Sequence, residues 1–221
     1  IYKKVAKEFK PESYTSFLKN RNLNEESVQN FSLGYAPGNN ALISYLNSIP
    51  NAKDKEFALS VAKEMGIIRD GQNGRPDYDF FRDRVVFPIW DHFGNVRGFS
   101  SRAVLENQKP KYLNSGESFI FDKGNILYGH HIAKSHIRDK DQAILVEGNM
   151  DTVVMHQFGF NNSVGTMGTA FGLNSAKILT NITKNIYLAM DSDDAGMKGM
   201  IRANEHFMKQ GIYFFNNSFF H

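Results

Sequence analysis

Apolar and polar positions follow two different periods along this chain. From Tyr2 to about Ile49 the apolar residues recur at helical spacing, with Phe17, Leu18, Leu23, Val28 and Phe31 as landmarks, and Asn24 ahead of Glu25-Glu26 predicts a helix cap. Gly34 to Asn40, with Pro37-Gly38 inside it, predicts a connecting loop. A second helical stretch, Lys55 to Met65, stops at Gly66, and Asp70 to Asp79 holds enough Gly, Asn and Pro to predict a turn-rich loop. The period then shortens towards two. Val85–Trp90 and Val96–Ser100 predict strands, and Asp91–Asn95 between them predicts the turn of an antiparallel hairpin.

The second half alternates. Ile132 to Asp139 predicts a helix, and a strand follows over Ala143–Val146. The expected order from there is helix (Thr152 to Phe158), strand (near Asn162 to Val164), helix (Asn174 to Thr183), strand (Asn185 to Met190), helix (Met197 to Gln210) and strand (Ile212 to Phe215). That alternation implies a parallel sheet with right-handed crossovers. With the mixed N-terminal part, the fold class is α+β.

Two of these strands run into acids: Ala143-Ile144-Leu145-Val146 into Glu147-Gly148-Asn149-Met150-Asp151, and Ile186-Tyr187-Leu188-Ala189-Met190 into Asp191-Ser192-Asp193-Asp194-Ala195-Gly196. A buried parallel strand delivers its last residue to the carboxyl edge of the sheet, where open α/β sheets bind their ligands. If Glu147, Asp151, Asp191 and Asp193 converge, each close pair repels by about 4 kcal/mol at an effective dielectric near 20. Such a cluster must protonate, hydrate or bind cations, and its all-oxygen donors favour Mg²⁺ or Mn²⁺ over Zn²⁺. The competing reading is that each acid simply caps the helix that follows it.

Glu147-Gly-x-x-Asp151 followed by Asp191-x-Asp193-x-Ala195-Gly196 resembles the Toprim signature of bacterial primases, topoisomerases and some nucleases. Upstream, Phe31-Ser32-Leu33-Gly34-Tyr35-Ala36-Pro37, Arg84-Val85-Val86-Phe87-Pro88-Ile89, Gly98-Phe99-Ser100-Ser101-Arg102, Pro110-Lys111-Tyr112-Leu113-Asn114-Ser115, Phe121-Asp122-Lys123-Gly124 and Leu127-Tyr128-Gly129 follow in the order of the motifs of DnaG-type primase catalytic cores. The resemblance covers most of the chain. It implies an N-terminal basic subdomain over 1–138 and an α/β Toprim domain over 139–221, shortened at its C-terminal side. It also implies a DNA-directed RNA polymerase that copies single-stranded DNA template into short RNA primers from ribonucleoside triphosphates, with Mg²⁺ or Mn²⁺, beside a replicative helicase.

On that resemblance Glu147, Asp191 and Asp193 are the expected catalytic residues, and with Asp151 the metal ligands. The family's glutamate is assigned either metal ligation or acid–base work, and both readings stay open for Glu147. Arg102, Lys111, Tyr112 and Asn114 stand where the family places groups that contact nucleotide or template, and Arg82 and Arg84 are further candidates for that role. For any one of these basic residues taken alone, a solvated surface role is the ordinary reading. Three positions depart from the family pattern: Asn30 stands where many relatives have arginine, Ser192 replaces the glycine between the aspartates, and Tyr213–His221 carries no second acidic pair.

Rival readings are a Toprim module that binds nucleic acid without activity and a haloacid-dehalogenase-like phosphatase, whose nucleophile motif is also an apolar strand ending in Asp-x-Asp. The phosphatase needs a lysine and further acids well downstream, and only 28 residues follow Asp193. A topoisomerase would need a tyrosine nucleophile that nothing here marks.

Composition narrows the rest. The chain has 221 residues, is 41% hydrophobic and contains no cysteine, so neither a disulfide framework nor a thiolate zinc site exists within it. The family's zinc-binding and helicase-binding domains are expected outside this segment, which begins at Ile1 and reads as a fragment. No apolar run approaches the ~18 residues of a membrane span, and the Lys-rich start lacks a signal-peptide core, so a cytoplasmic, nucleoid-associated protein without a membrane partner is expected. A net charge of +3 does not by itself mark a polyanion binder. Gly165-Thr166-Met167-Gly168-Thr169 lacks the Gly-Lys-Ser/Thr ending of a phosphate loop and predicts a strand-to-helix turn, with Gly168 at the close approach. The seven histidines show no metal-ligand spacing, and most of the 19 Phe and nine Tyr are expected in the core.

Overall fold

The computed structural model describes residues 2–3, 11–118, 121–167 and 171–212. The chain divides into two compact units, Ile1–Ile89 with Val96–Phe121, and Trp90–Asn95 with Asp122–His221.

The first unit contains helices α1 (Glu12–Asn20), α2 (Glu25–Asn30), α3 (Ala41–Asn47) and α4 (Ala52–Glu64). Its main sheet has the order β1-β4-β5-β6, from Gly34–Ala36, Arg84–Trp90, Val96–Ala103 and Tyr112–Asn114, and a two-stranded ladder joins β2 (Ile68–Arg69) to β3 (Tyr78–Asp79). The predicted cap forms: Asn24 accepts the Ser27 N–H at 2.8 Å, which satisfies one of the orphan donors of α2. The cap of α3 comes instead from a distant strand. The fully buried Asp79 accepts the N–H groups of Leu42 (2.8 Å) and Ile43 (3.1 Å).

Two predicted loops contain strands. Gly34-Tyr35-Ala36 is buried throughout and pairs antiparallel with β4, Tyr35 opposite Val85, and Tyr78-Asp79 pairs with Ile68-Arg69. Three-residue and two-residue strands are too short to show a period, and Pro37-Gly38 next door reads locally as a loop; the pairing partner lies about 50 residues away. Helix α4 also starts three residues before the predicted Lys55, because Asn51 accepts the Lys53 and Asp54 N–H groups.

The second unit holds α5 (His130–Lys140), β7 (Ala143–Val146), α6 (Asn149–Gln157), β8 (Ser163–Gly165), α7 (Leu173–Thr180), β9 (Ile186–Ala189) and α8 (Asp194–Met208). Its sheet is parallel in the order β8-β7-β9. Leu145 and Val164 at the centre, with Ala133 and Ile137 of α5, Ala176 and Leu179 of α7 and Ala203 and Phe207 of α8, form one core, each fully or almost fully buried. The division expected at 138/139 falls inside α5, whose apolar face packs into this core, so the helix belongs with the sheet that follows it. Of the strand expected over Ile212–Phe215 only Ile212 is described; residues 213–215, the rest of the C-terminal stretch and Gly168 lie outside the described residues.

Candidate active site

Parallel pairing brings the two acidic strand ends side by side. In the register of β7 with β9, Val146 stands opposite Ala189, so Glu147 leaves the sheet next to the segment that carries Asp191. The Glu147 carboxylate accepts the Asp191 backbone N–H. Burial, and then the charges of Asp191, Asp193 and Asp151, hold its pKa above the usual carboxylate range. Glu147 Oε2 is buried and has no hydrogen-bond partner among the described residues.

The aspartates themselves are exposed. Asp193 is the N-cap of α8 and accepts the Gly196 N–H at 2.8 Å, so its capping role is real alongside any other. Asp151 lies in the first turn of α6. Among the described residues no three acidic or imidazole side chains converge on a single ligating point. The three aspartates are within Coulombic reach of Glu147, and among the described residues they form no closed cage with it. Their chemistry still fits a hard divalent cation: the donors are all carboxylate oxygens, one buried oxygen lacks a partner, and the mutual charge raises the protonation of Glu147.

Two glycines set the backbone around this site. A Cβ at Gly196 would lie 2.0 Å from the Asp191 carbonyl oxygen, so only glycine lets α8 start this close to the strand end. At Gly165 a Cβ would lie 2.5 Å from Thr152 Oγ1 and 2.8 Å from the Gly148 oxygen. Gly165 thus makes a close backbone approach, while Gly168, where one was expected, lies outside the described residues.

The basic candidates lie on the sheet of the first unit. Arg84 is buried on β4, and its guanidinium donates to the carbonyls of Pro110 (2.7 Å) and Lys111 (3.4 Å). Arg102, also buried, stands opposite Tyr112 in the β5–β6 register, with its guanidinium 5.1 Å from the Tyr112 ring centroid and 5.7 Å from that of Phe17. Tyr112 is half exposed and Lys111 is exposed. Asn114 pairs with Ser100 at the other end of β6. Arg82 lies 5.0 Å above the Tyr78 ring.

The family model described as DNA primase catalytic core, N-terminal domain, matches residues 1–134, more than half of the sequence, and a Toprim-like model matches residues 144–219. The chain belongs to the DNA primase catalytic-core family. Among similar proteins, DNA primase of Synechococcus elongatus is 38% identical over 188 residues, which is 84% of this chain and 26% of that protein. DNA primase of Aquifex aeolicus is 37% identical over 201 residues, 90% of this chain and 38% of that protein. The chain thus spans well under half the length of these relatives. Among solved structures, the Aquifex aeolicus primase zinc-binding and RNA polymerase domains superpose with a TM-score of 0.82 at 35% identity, covering 92% of this chain and 49% of that one. A DnaG primase catalytic domain bound to single-stranded DNA gives 0.79 at 32%, covering 93% and 64%.

Within this primase-core fold, the sequence reading missed Phe17, Thr152 and Thr166. Phe17 is an apolar position of helical spacing, and its contact with Arg102 joins α1 to β5 across 85 positions of sequence, beyond any local signal. Thr166 sits directly after a strand of small and β-branched residues, the one sequence cue that could have marked it.

Proposed function

We propose that this chain is the catalytic core of an RNA-primer-synthesising primase, a DNA-directed RNA polymerase acting on single-stranded DNA with ribonucleoside triphosphates. The observation that carries the reading is the meeting of Glu147 with Asp191, which gathers the carboxylates of both acidic motifs at one sheet edge.

Glu147, Asp191 and Asp193, with Asp151 beside them, would hold Mg²⁺ or Mn²⁺. A cation held by these carboxylates would supply the charge that lowers the pKa of an attacking 3′-hydroxyl and offsets the triphosphate. Glu147, with its raised pKa, keeps a carboxyl in reach of a proton at this edge and serves either as ligand or as acid–base group. Exposed Lys111 supplies charge for a phosphate, and Tyr112, backed by Arg102, offers an aromatic face for a base. Arg84 holds the 110–111 peptides that present both. Asn114, on the same strand, would add a polar contact. The zinc-binding domain present in the Aquifex aeolicus structure and a contact to the replicative helicase would belong to other parts of a longer primase.

The test is template-dependent incorporation of labelled ribonucleotides on single-stranded DNA with Mg²⁺ or Mn²⁺. RNA products whose composition follows the template support the reading. Release of phosphate from small phosphomonoesters without RNA synthesis would support the phosphatase instead, and binding of single-stranded DNA without either activity would leave a nucleic-acid-binding module.

A further inference from the structure

Thr166, 4% exposed, lies one residue past β8, and both of its donors address the strand end that carries Glu147. Its backbone N–H donates to the Val146 carbonyl at 3.0 Å, and its hydroxyl donates to the Glu147 carbonyl at 2.6 Å. The next carbonyl, that of Gly148, accepts both the backbone N–H (3.1 Å) and the hydroxyl (2.9 Å) of Thr152. Three successive carbonyls are therefore occupied. Gly165 lets β8 approach them closely, since a Cβ there would lie 2.8 Å from the Gly148 oxygen.

We propose that Thr166 is a positioning residue for Glu147: by fixing the plane of the peptide after Glu147, its hydroxyl sets the direction in which the Glu147 side chain leaves the strand and meets the Asp191 N–H. This rests on the reading of Glu147 as part of the active site. A peptide plane left to rotate would swing the side chain of the residue that owns it, whereas one whose carbonyl is held by a hydroxyl at the neighbouring strand end is restrained. A hydrogen bond between a neutral hydroxyl and a carbonyl adds only about 0.5–1.5 kcal/mol to net stability, so its larger consequence is geometric. Losing an outer-shell partner of this kind typically lowers metal affinity or activity by about 10- to 100-fold. Threonine suits the role because branching at Cβ restricts χ1 and keeps the hydroxyl aimed at its acceptor.

Thr166→Val removes the donor at nearly constant volume, and Thr166→Ser keeps the donor while removing the methyl. Mn²⁺ affinity, read from the free-ion signal in electron paramagnetic resonance, should weaken about tenfold or more in Thr166→Val and stay within about twofold of wild type in Thr166→Ser. In ribonucleotide incorporation kcat should fall in Thr166→Val while KM for the template is unchanged, with serine restoring kcat. Melting of the metal-free proteins shows whether each variant is folded under assay conditions. If Thr166→Val is not folded there, the serine variant carries the test: a loss of Mn²⁺ affinity in folded Thr166→Ser assigns the effect to methyl packing and overturns the proposal. Wild-type affinity and kcat in Thr166→Val overturn it directly. Glu147→Gln is the reference arm. If it binds Mn²⁺ and incorporates nucleotides like wild type, the active-site reading itself fails and takes the positioning role with it. If it loses both while Thr166→Val loses neither, only the positioning role fails.

Discussion

The Arg84 guanidinium donates to the Pro110 carbonyl at 2.7 Å, which places a buried cation of β4 beneath the segment that leads into Lys111 and Tyr112. A charge in that position is occupied with backbone rather than solvent. Arg84→Met should leave the Pro110 carbonyl without this donor, while the Lys111 carbonyl keeps the Ala103 N–H at 2.9 Å, and lower unfolding free energy by about 1–3 kcal/mol. Urea denaturation measures this, and a variant as stable as wild type would show that the contact contributes only geometry.

Asp191→Asn and Asp193→Asn should abolish ribonucleotide incorporation and preserve the fold. Asparagine keeps the cap of α8 that Asp193 supplies, and removing a negative charge relieves the repulsion that raises the Glu147 pKa. Metal-free melting should be unchanged or slightly higher, while the rise in Tm on adding Mn²⁺ should shrink, because a ligand stabilises only the state that binds it. Incorporation at the wild-type rate in either variant would reduce the aspartates to helix caps.

Gly196→Ala should disturb the same place by sterics alone. With a Cβ 2.0 Å from the Asp191 oxygen, α8 or the strand end must move, at a cost of about 1–3 kcal/mol. Calorimetric melting together with the Mn²⁺ affinity reports it; a stable variant with normal affinity would mean that the backbone there yields without consequence.

Lys111→Ala should weaken single-stranded DNA binding and reduce the slope of log K against log salt by roughly 0.7, the value of one lost phosphate contact on a single strand. Arg102→Ala should act differently. Its guanidinium lies buried against Phe17 and Tyr112, so stability should fall along with binding. Titrations at several salt concentrations separate the two, and an unchanged slope in Lys111→Ala would return that lysine to the solvated surface.

Two histidines should make the second unit acid-sensitive. Burial, reinforced by the Lys134 charge, lowers the pKa of both His130 and His131 to about 4; His131 is stacked on Trp90 at 5.2 Å, and His92 and His156 add further positive charge while Asp91 opposes it. The unfolded chain, with histidines near the ordinary 6.5, binds more protons than the folded one between about pH 4 and 6.5. Stability should therefore be greatest above that window and fall as pH drops through it, by roughly 3 kcal/mol for His130. Unfolding free energies at pH 7 and pH 5 should differ less in His130→Gln and in His131→Phe than in wild type. Equal differences in all three would locate the acid sensitivity elsewhere.

The elements with a sustained period were legible before any coordinates: the β4–β5 hairpin, the alternating βα order after Gln142 and the Asn24 cap all rest on interactions within a few residues or on one buried face. The acidic strand ends were legible too, since an apolar run that stops at a carboxylate states its own position on a parallel sheet. Strand β1 and the cap that Asp79 supplies to α3 were not, because each depends on a partner tens of residues away. Composition could not tell the guanidinium of Arg84, held by carbonyls, from the exposed ammonium of Lys111.

By itself, then, the sequence determined which residues end the strands and that four of them are acids, because periodicity and residue type are properties of the local chain. Only the tertiary structure decided that Asp191 would donate its N–H to Glu147, that Glu147 would keep one buried oxygen without a partner among the described residues, and that Thr166 would hold the Glu147 carbonyl. Those contacts follow from the β8-β7-β9 strand order and its register, which non-local backbone pairing and the burial of a shared core select.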